Sequence, residues 1–508
     1  MFIGRERMPS ARNFRQRILP WLAAALASAA PAVAAPANGP LAITGVTVID
    51  GTGAPAKPGM TVTIADGRIR SIARDGGQAP AGARIIDGRG KFLLPGFIDS
   101  NVHATVYGNP GRRDTSVKYA DRNEELATEF AQRQLKAGVT TIRDSYGLLP
   151  PLIAVRDRIA RGETIGSRLL VAGNIVGWGG PFSLTFSLSK ESDLTLFQEK
   201  WNDLVAQGAG EDLVDMTPEE LRKAMNAYLD KGVDFVKYGG TSHNLRPSLI
   251  GFSPRAQAVI VEETHKRGRM VDTHSTTPEG LRLSVEAGTD VIQHPELHSR
   301  DLPDDLILLM IQRHVLCAMR SNMVTGDLRK AQVKRRAAAL ARLANAPPAQ
   351  TSAEQRRRDA ETGEDDEIQR RNAERLVGAG CEVTIATDNY LGDAPEFRRE
   401  PKAPEQEPGE GSLRAIEGLV ELGMTPMQAI VAATKNGAHA AGMAKDLGTI
   451  ERGKIADLIL LDRDPLADIH AIRALDTVIA GGRVIDPATL PEHSIFGAPA
   501  QKPTGSHE

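Results

Sequence analysis

The chain has 508 residues, a formal net charge of −2, a charged fraction of 25% and a hydrophobic fraction of 41%. This length predicts two to four domains, and the charge balance gives no reason to expect binding to nucleic acid or to an anionic membrane. Aromatic residues make up only 4% of the chain, which also argues against a surface on which nucleic-acid bases stack. We therefore expect a globular protein without a nucleic-acid partner.

The first 34 residues have the three-part pattern of a secretory signal peptide. Five arginines precede an apolar run at 18–30, and Ala32, Val33 and Ala34 then form a small-residue cleavage site. The apolar run is too short to cross a bilayer as a helix; an uncleaved membrane anchor is the alternative. The pattern predicts export, to the periplasm or the medium, and no membrane attachment after signal cleavage.

Only two cysteines occur, Cys317 and Cys381, and each lies within or beside a predicted buried strand. We expect both to be unpaired small apolar residues. A disulfide is the alternative, because an exported protein meets an oxidising environment. Two cysteines are too few for a cysteine-based metal site.

Short strand patterns at the two ends of the chain, in 41–94 and 447–486, predict one small β-sandwich. The patterns cover 42–50, 60–65, 68–72, 83–87, 457–462 and 477–480. Asp66 and Gly67 form a hairpin signal between two of these strands. The last residues, 487–508, are expected to be a loose tail.

The middle of the chain, 95–446, alternates strand and helix patterns. Near-continuous apolar runs, typical of parallel strands covered on both faces, occur at 93–99, 140–144, 169–176, 233–238, 269–275, 290–294, 315–319 and 382–388. Thr217 and Thr425 each precede a proline and lie three residues before Glu or Gln, a pattern typical of helix N-caps. Eight strands interleaved with helices predict a (β/α)8 barrel.

One connection in this region, roughly 320–380, is unusually long and rich in Arg, Ala, Glu and Asp. We expect a solvated helical insertion. The alternative is a lid over the mouth of the barrel, since this loop follows a strand and reaches the face where barrel active sites lie.

Chemically versatile residues recur at one kind of position, at or shortly after the end of a predicted strand. They are His103, Lys237, His274, His294 and Asp388. The C-terminal ends of barrel strands converge on one mouth, where catalysis occurs in such folds. Three imidazoles and a carboxylate are ligands that suit zinc, so the set predicts a divalent-metal site. His243 and His298, by contrast, are expected at solvent-facing loop positions.

Lys237 needs its own explanation, because a buried ammonium beside a divalent cation is repelled and burial already disfavours its charge. A carbamylated lysine removes the conflict, since it is an anionic carboxylate able to bridge two metals. An ordinary salt-bridged lysine is the alternative.

Several segments together resemble the amidohydrolase superfamily, in its imidazolonepropionase-like branch, which includes prolidase-like enzymes. The run 95–99 followed by His103 resembles the first-strand signature of that superfamily. The segments 43–53 and 448–458 look like its split β-sandwich, and 138–144 and 423–429 are similar to the branch. The resemblance covers 41–486 in consistent order.

The resemblance implies His103 as a ligand of the more buried metal and carbamylated Lys237 as the bridge. It implies His274 and His294 on the second metal, and Asp388 on the first. One position departs from the pattern: the first strand normally offers His-x-His, and here Asn101 replaces the first histidine. An amide oxygen is a poor zinc ligand, so Asn101 is a doubtful ligand and the site holds one or two ions.

The function so implied is hydrolysis of an amide or peptide bond, in a dipeptide or an N-acyl amino acid. The metal polarises the carbonyl and acidifies a bound water, while Asp388 acts as general base and then general acid. Tyr107, Tyr238 and Arg320 are candidate substrate-binding residues. The alternatives are a deaminase, lactonase or other hydrolase of a cyclic substrate, and a degenerate binding protein. A homo-oligomer is compatible with the sequence.

Overall fold

The computed structural model describes residues 39–74, 79–105, 113–186, 194–243, 248–345, 352–392 and 402–490. The predicted signal peptide, Tyr107 and all of the C-terminal tail beyond 490 lie outside the described residues. Within the described ranges, no helix combines the length and the apolar character needed to cross a membrane.

The described strands, in chain order, are β1 (Leu41–Val48), β2 (Lys57–Ala65), β3 (Arg68–Arg74), β4 (Arg84–Asp87), β5 (Phe92–Pro95), β6 (Phe97–His103), β7 (Val139–Asp144), β8 (Arg168–Val171), β9 (Ile175–Val176), β10 (Val236–Gly239), β11 (Val271–His274), β12 (Val291–Gln293), β13 (Leu316–Met319), β14 (Glu382–Ile385), β15 (Asn389–Tyr390), β16 (Leu458–Leu461), β17 (Leu475–Ala480) and β18 (Arg483–Ile485).

The described α-helices are α1 (Arg113–Tyr119), α2 (Asn123–Lys136), α3 (Leu149–Arg161), α4 (Leu196–Ala206), α5 (Pro218–Leu229), α6 (Pro254–Lys266), α7 (Pro278–Glu286), α8 (Asp304–Gln312), α9 (Gly326–Asn345), α10 (Ala353–Glu361), α11 (Glu364–Gly378), α12 (Glu410–Glu421), α13 (Pro426–Val431) and α14 (Gly437–Ala440). A π-helical turn, Ala432–Asn436, joins the last two.

Strands from the two ends of the chain form one mixed sheet, in the order β18-β17-β16-β5-β1-β2-β3, with β4 paired to β1. β16 joins the two ends, because it pairs antiparallel with both β5 and β17. Val46 and Val62 from the N-terminal strands share a buried cluster with Leu458 and Ile479 from the C-terminal strands. The predicted hairpin at Asp66 and Gly67 is confirmed: both residues have positive φ, as a type I′ turn requires.

The middle of the chain forms two parallel sheets, a six-stranded one in the order β14-β13-β12-β11-β10-β9 and a four-stranded one in the order β15-β6-β7-β8. The chain continues from one sheet into the other at both edges, since β8 precedes β9 and β14 precedes β15, each after three residues. The hydroxyls of Ser100 in β6 and Thr384 in β14 lie 2.9 Å apart. β6 and β14 are therefore adjacent although they belong to different sheets, and the residues that follow their C-terminal ends lie near each other.

The predicted helix starts are confirmed. Thr217 and Thr425 both form capping boxes, in which the threonine side chain accepts from the third backbone N–H and the Glu or Gln side chain accepts from the cap. Each box satisfies backbone N–H groups that a helix N-terminus leaves without partners.

The expectation of unpaired cysteines is wrong. Cys317 in β13 and Cys381, immediately before β14, form a disulfide with their Cα atoms 6.3 Å apart. The two residues are 64 positions apart in sequence, but β13 and β14 are adjacent parallel strands in which Cys317 lies opposite Val383. The long insertion separates them along the chain and the sheet brings them together.

The described part of the 320–380 segment is helical, with α9, α10 and α11 following a 3₁₀ turn at Ser321–Met323. Ion pairs join these helices to each other and to the body of the fold. Arg329 on α9 contacts Glu367 on α11 at 2.6 Å, and Arg370 on α11 contacts Glu421 on α12 at 2.8 Å. The lid role of this insertion stays a prediction.

Candidate active site

A cavity of about 290 Å³ lies at the C-terminal ends of the parallel strands. The sequence-predicted residues that line it are His103, Lys237, His274, His294, Arg320 and Asp388. They come from β6, β10, β11 and the turns after β12, β13 and β14. The structure thus brings together side chains that are up to 285 positions apart in sequence.

Asp388 is the common contact of this cluster. Its Oδ1 atom lies 2.9 Å from Nε2 of His103 and 3.8 Å from Nε2 of His294, and its Oδ2 atom lies 3.5 Å from Nη1 of Arg320. His274 faces His294, with the ring centroids 5.5 Å apart. The Asp388 side chain is 26% exposed, so it is accessible from the cavity.

Two of these residues have left-handed backbone conformations. His294 has φ of 52° and Asp388 has φ of 60°, a region that costs free energy for residues other than glycine. Hydrogen bonds hold both turns: the His294 N–H donates to Ala318 O and the Asp388 N–H donates to Asn101 O, each at 2.9 Å. Unfavourable backbone conformations of this kind cluster at functional sites.

Burial sets the protonation of the histidines. It lowers the pKa of His103, and it lowers the pKa of His274 and His294 well below the ordinary value. The imidazoles are therefore neutral near pH 7, which is the form that binds a metal.

Asp388 is held as a carboxylate. Burial works against its charge, but the hydrogen bond with His103 and the charge of nearby Arg320 hold the pKa of Asp388 well below its ordinary value. An ionised carboxylate that is accessible from the cavity can accept a proton.

Lys237 lines the cavity and is 1% exposed. Burial lowers the pKa of Lys237 to about 8, and its Nζ donates to the Ser145 hydroxyl at 3.1 Å. The Lys237 amine therefore loses its proton more easily than an exposed lysine does, although the ammonium form still predominates at pH 7.

The donor set fits a divalent metal in its chemistry. Nδ1 of His103, Nδ1 of His294 and Nε2 of His274 are buried and have no hydrogen-bond partner among the described residues. Neutral imidazoles with a nearby carboxylate are ligands that suit zinc. The described side chains do not form a ready-made group of three or more His, Cys, Asp or Glu at metal-binding distances.

Arg320 and Tyr238 differ in their placement. Arg320 lies in the cavity between two acids, with its Nε 3.6 Å from Glu296 Oε1 and its Nη1 near Asp388. Tyr238 does not line the cavity: it is fully buried, and its hydroxyl lies 2.9 Å from both Gln257 Oε1 and Thr289 Oγ1. Because successive side chains of a strand point to opposite faces, Lys237 faces the cavity and Tyr238 faces away, and the prediction that Tyr238 contacts substrate is corrected.

An aromatic wall, defined here as Tyr146, Trp178, Phe186 and His243, lines one side of the cavity. Phe186 stacks on His243 with ring centroids 4.5 Å apart and an interplanar angle of 5°, and it stacks on Tyr146 at 5.3 Å. Trp178 packs edge-on against Phe186 at 5.7 Å. The wall presents flat apolar surface to the cavity.

Sequence reasoning missed most of this wall. His243 was expected to face solvent; it is solvent-exposed as expected and is also part of the wall. His298, with the same expectation, is fully buried. Tyr146 and Ser145 directly follow β7, so the rule that strand ends converge could have identified them. Phe186 lies in a long loop, and no local pattern marks it.

Comparisons with known proteins agree with this architecture. An imidazolonepropionase from Anaeromyxobacter sp. (strain K) is 24% identical over 477 residues, which cover 85% of this chain and 91% of that protein. An imidazolonepropionase from Shouchella clausii (strain KSM-K16) is 34% identical over 119 residues, and this match spans only 24% of that relative's length.

Two solved structures are similar over nearly the whole chain. Molinate hydrolase has a TM-score of 0.79 and 29% identity, covering 93% of this chain and 100% of that one. Phenylurea hydrolase B has a TM-score of 0.78 and 30% identity, covering 90% of this chain and 99% of that one. The Amidohydrolase family model matches residues 92–485, and because this match covers most of the sequence, the chain belongs to the amidohydrolase family.

Proposed function

We propose that this amidohydrolase cleaves a C–N bond of a neutral amide or urea by adding water, with a divalent metal as cofactor and Asp388 as the proton-transferring residue. The observation that carries this proposal is the contact of an ionised, cavity-facing carboxylate with buried neutral imidazoles around one cavity. Strongly perturbed titratable groups that meet in a cavity are typical of catalytic sites.

The scaffold proposed for this site is a closed (β/α)8 barrel with a β-sandwich formed by the two chain ends. The barrel is supported by the continuity of β8 with β9 and of β14 with β15, which links the two parallel sheets at both edges. The sandwich is supported by the single mixed sheet that the terminal segments share.

His103, His274, His294 and Asp388 are the residues that would hold the metal, and zinc is the ion that their chemistry favours. When bound, such an ion polarises a carbonyl and lowers the pKa of water. Lys237 has two candidate states: a carbamylated bridge between two ions, or the free amine that donates to Ser145. The carbamate carbon signal of folded protein incubated with carbon-13 bicarbonate distinguishes them, since only the carbamylated state gives it.

Asp388 supplies the proton transfers. Its carboxylate accepts a proton from the attacking water while the water oxygen bonds to the carbonyl carbon. It returns that proton to the amine nitrogen as the C–N bond breaks, so an amide and one water give a carboxylic acid and an amine. Arg320, 3.5 Å from Oδ2 of Asp388, stabilises the carboxylate between turnovers.

The cavity lining favours a neutral substrate with a flat apolar group. The aromatic wall offers stacking surface, and aromatic rings prefer such offset or edge contacts. Arg320, the cation predicted to receive a substrate carboxylate, already faces Asp388 and Glu296. Molinate hydrolase and phenylurea hydrolase B, the structural neighbours at 29% and 30% identity, support the same class. A dipeptide or N-acyl amino acid is the second candidate, with Arg320 as the carboxylate partner.

We also propose that the mature protein is exported and lies in the periplasm or the medium. The disulfide between Cys317 and Cys381 supports this proposal, because disulfides persist mainly in oxidising compartments.

A substrate panel tests the proposed function. Purified protein of measured metal content is incubated with an anilide, a phenylurea, an Xaa-Pro dipeptide, an N-acyl amino acid and a cyclic amide, and amine release is measured. Asp388→Asn is the inactive control. Faster cleavage of the anilide or phenylurea supports the neutral class, and preference for the dipeptide or N-acyl amino acid favours the second candidate. Cleavage of the cyclic amide alone points to the ring-opening alternative. No cleavage of any substrate, together with little bound metal, would mean a degenerate binding protein.

A further inference from the structure

Asn101, at the position where the family pattern has a histidine, is hydrogen bonded on both sides of its amide group. Its Nδ2 donates to Oδ1 of Asp388 at 3.1 Å, and its Oδ1 accepts from the Ser145 hydroxyl. Lys237 in turn donates to the same serine oxygen at 3.1 Å. Asn101 and Ser145 are both fully buried.

The orientation of the Asn101 amide follows from the chemistry of its neighbours. Asp388, as a carboxylate, can only accept hydrogen bonds, so the amino group of Asn101 must face it. The amide oxygen then faces Ser145, which gives its single proton to that oxygen and accepts from Lys237 through a lone pair. Donors and acceptors therefore alternate correctly from Lys237 through Ser145 and Asn101 to Asp388.

This arrangement directs the amide oxygen of Asn101 to Ser145, and Asn101 is not among the residues that line the cavity. Only the oxygen of an amide coordinates a hard or borderline cation, and here that oxygen accepts from Ser145. The amino group, which cannot coordinate, is the end that faces Asp388.

The two oxygens of Asp388 also differ. Oδ1 accepts a hydrogen bond from Nδ2 of Asn101 at 3.1 Å and lies 2.9 Å from Nε2 of His103. Among the described residues, the only polar contact that Oδ2 makes is the long one to Arg320, at 3.5 Å. Hydrogen bonds thus fix Oδ1 and leave Oδ2 for the exchange of a proton with water and substrate.

We propose that Asn101 and Ser145 are positioning residues for Asp388, and that Asn101 is not a metal ligand. Ser145 sets the orientation of the Asn101 amide, and Asn101 holds the carboxylate so that Oδ2 faces the cavity. This inference rests on the proposed function for its kinetic part, whereas its statement about the metal is independent of the reaction.

Four variants test this proposal: Asn101→Ala, Asn101→Asp, Ser145→Ala and the control Ser167→Ala. Ser167 is also fully buried, but its hydroxyl donates only to the carbonyls of Ala131 and Val139. The measurements are zinc bound per chain, the thermal unfolding midpoint, and the pH dependence of kcat and KM on the best substrate of the panel.

Bound zinc per chain is expected to be the same as wild type in Asn101→Ala and Ser145→Ala. Their kcat is expected to fall about 10- to 100-fold with little change in KM, because a misplaced catalytic group costs rate of that order. The acid limb of the pH profile should move to higher pH, since Asp388 loses a donor. Asn101→Asp should lower kcat further, because two carboxylates then face each other. Ser167→Ala should lower the unfolding midpoint and leave kcat unchanged.

Loss of bound zinc in Asn101→Ala would overturn the proposal, since that is the result expected of a ligand. A retained kcat in Asn101→Asp would also overturn it, since the donor to Asp388 is then dispensable. An unchanged kcat and pH profile in Ser145→Ala would also overturn it. If wild type cleaves no substrate of the panel, the proposed function fails, and the assignment of Asn101 is decided by the zinc measurement alone.

Discussion

Two buried tyrosines give a paired test of which side chains serve the cavity and which serve the fold. Tyr146 is 2% exposed and lines the cavity, and its hydroxyl has no hydrogen-bond partner among the described residues. Tyr238 is fully buried, and its hydroxyl has two partners at 2.9 Å, Gln257 and Thr289. The change Tyr→Phe removes the same atom from each.

The expected effects on stability and on activity are opposite. A net hydrogen bond contributes about 1 kcal/mol and an orphaned buried partner costs more, so Tyr238→Phe should lower the free energy of unfolding by about 2 kcal/mol. Tyr146→Phe should leave it unchanged or raise it by up to about 1 kcal/mol, because a buried hydroxyl without a partner is itself unfavourable. Both variants keep their ring packing, including the stack of Tyr146 on Phe186.

Urea unfolding followed by fluorescence measures the first effect, and steady-state kinetics on an anilide measures the second. Because the Tyr146 hydroxyl has no partner among the described residues, we expect it to hydrogen bond to the substrate, and kcat/KM to fall about 10-fold or more in Tyr146→Phe. In Tyr238→Phe, kcat/KM should stay at the wild-type value. If Tyr146→Phe is destabilised as much as Tyr238→Phe and keeps the wild-type kcat/KM, the Tyr146 hydroxyl stabilises the fold and does not act on the substrate.

Three further predictions concern the disulfide, a buried acid and the metal. The double variant Cys317→Ala, Cys381→Ala should lose up to about 4 kcal/mol of stability, the chain-entropy value for a loop of 64 residues, and an unchanged urea midpoint would contradict the bond. Burial raises the pKa of Asp99 to about 6, above its ordinary value, so the folded protein holds this proton more tightly than the unfolded chain. The stability that Asp99 contributes should be complete below about pH 4 and lost as the pH rises to about 6, on the order of 3 kcal/mol; Asp99→Asn should flatten that slope, and an unchanged pH dependence would refute it. Dialysis against a chelator should abolish hydrolysis and added zinc should restore it, whereas full activity after chelation would exclude an essential metal.

The strand ends and helix starts were predictable because their signals are local. Thr217 and Thr425 have their capping partners three residues away. The candidate site residues each lie at or shortly after the end of a predicted strand; they are His103, Lys237, His274, His294 and Asp388. Because the C-terminal ends of the parallel strands of a barrel meet at one mouth, these positions alone predict that the side chains share one cavity. The position of Tyr238 was also predictable. Adjacent residues of a strand point to opposite faces, so Tyr238 cannot face the cavity if Lys237 does.

Other features depend on contacts between distant segments. The pairing of Cys317 with Cys381 requires knowing that β13 and β14 are neighbours in register. Phe186 reaches the cavity through a loop whose path no sequence period describes. From the sequence, Asn101 could be identified only as the residue that replaces an expected histidine ligand. Its hydrogen bonds to Ser145 and Asp388 could not be predicted, because they join β6 to the ends of two other strands.

The proposed function depends on Asp388 as the residue that transfers the proton during hydrolysis of a C–N bond at this cavity. The most direct measurement is amine release from an anilide or a phenylurea by wild type and by Asp388→Asn at equal bound zinc. Asn tolerates the positive φ of this position, so the variant should fold. We expect amine release by wild type and a rate about 10²- to 10⁴-fold lower in the variant. Equal rates at equal zinc content would contradict it.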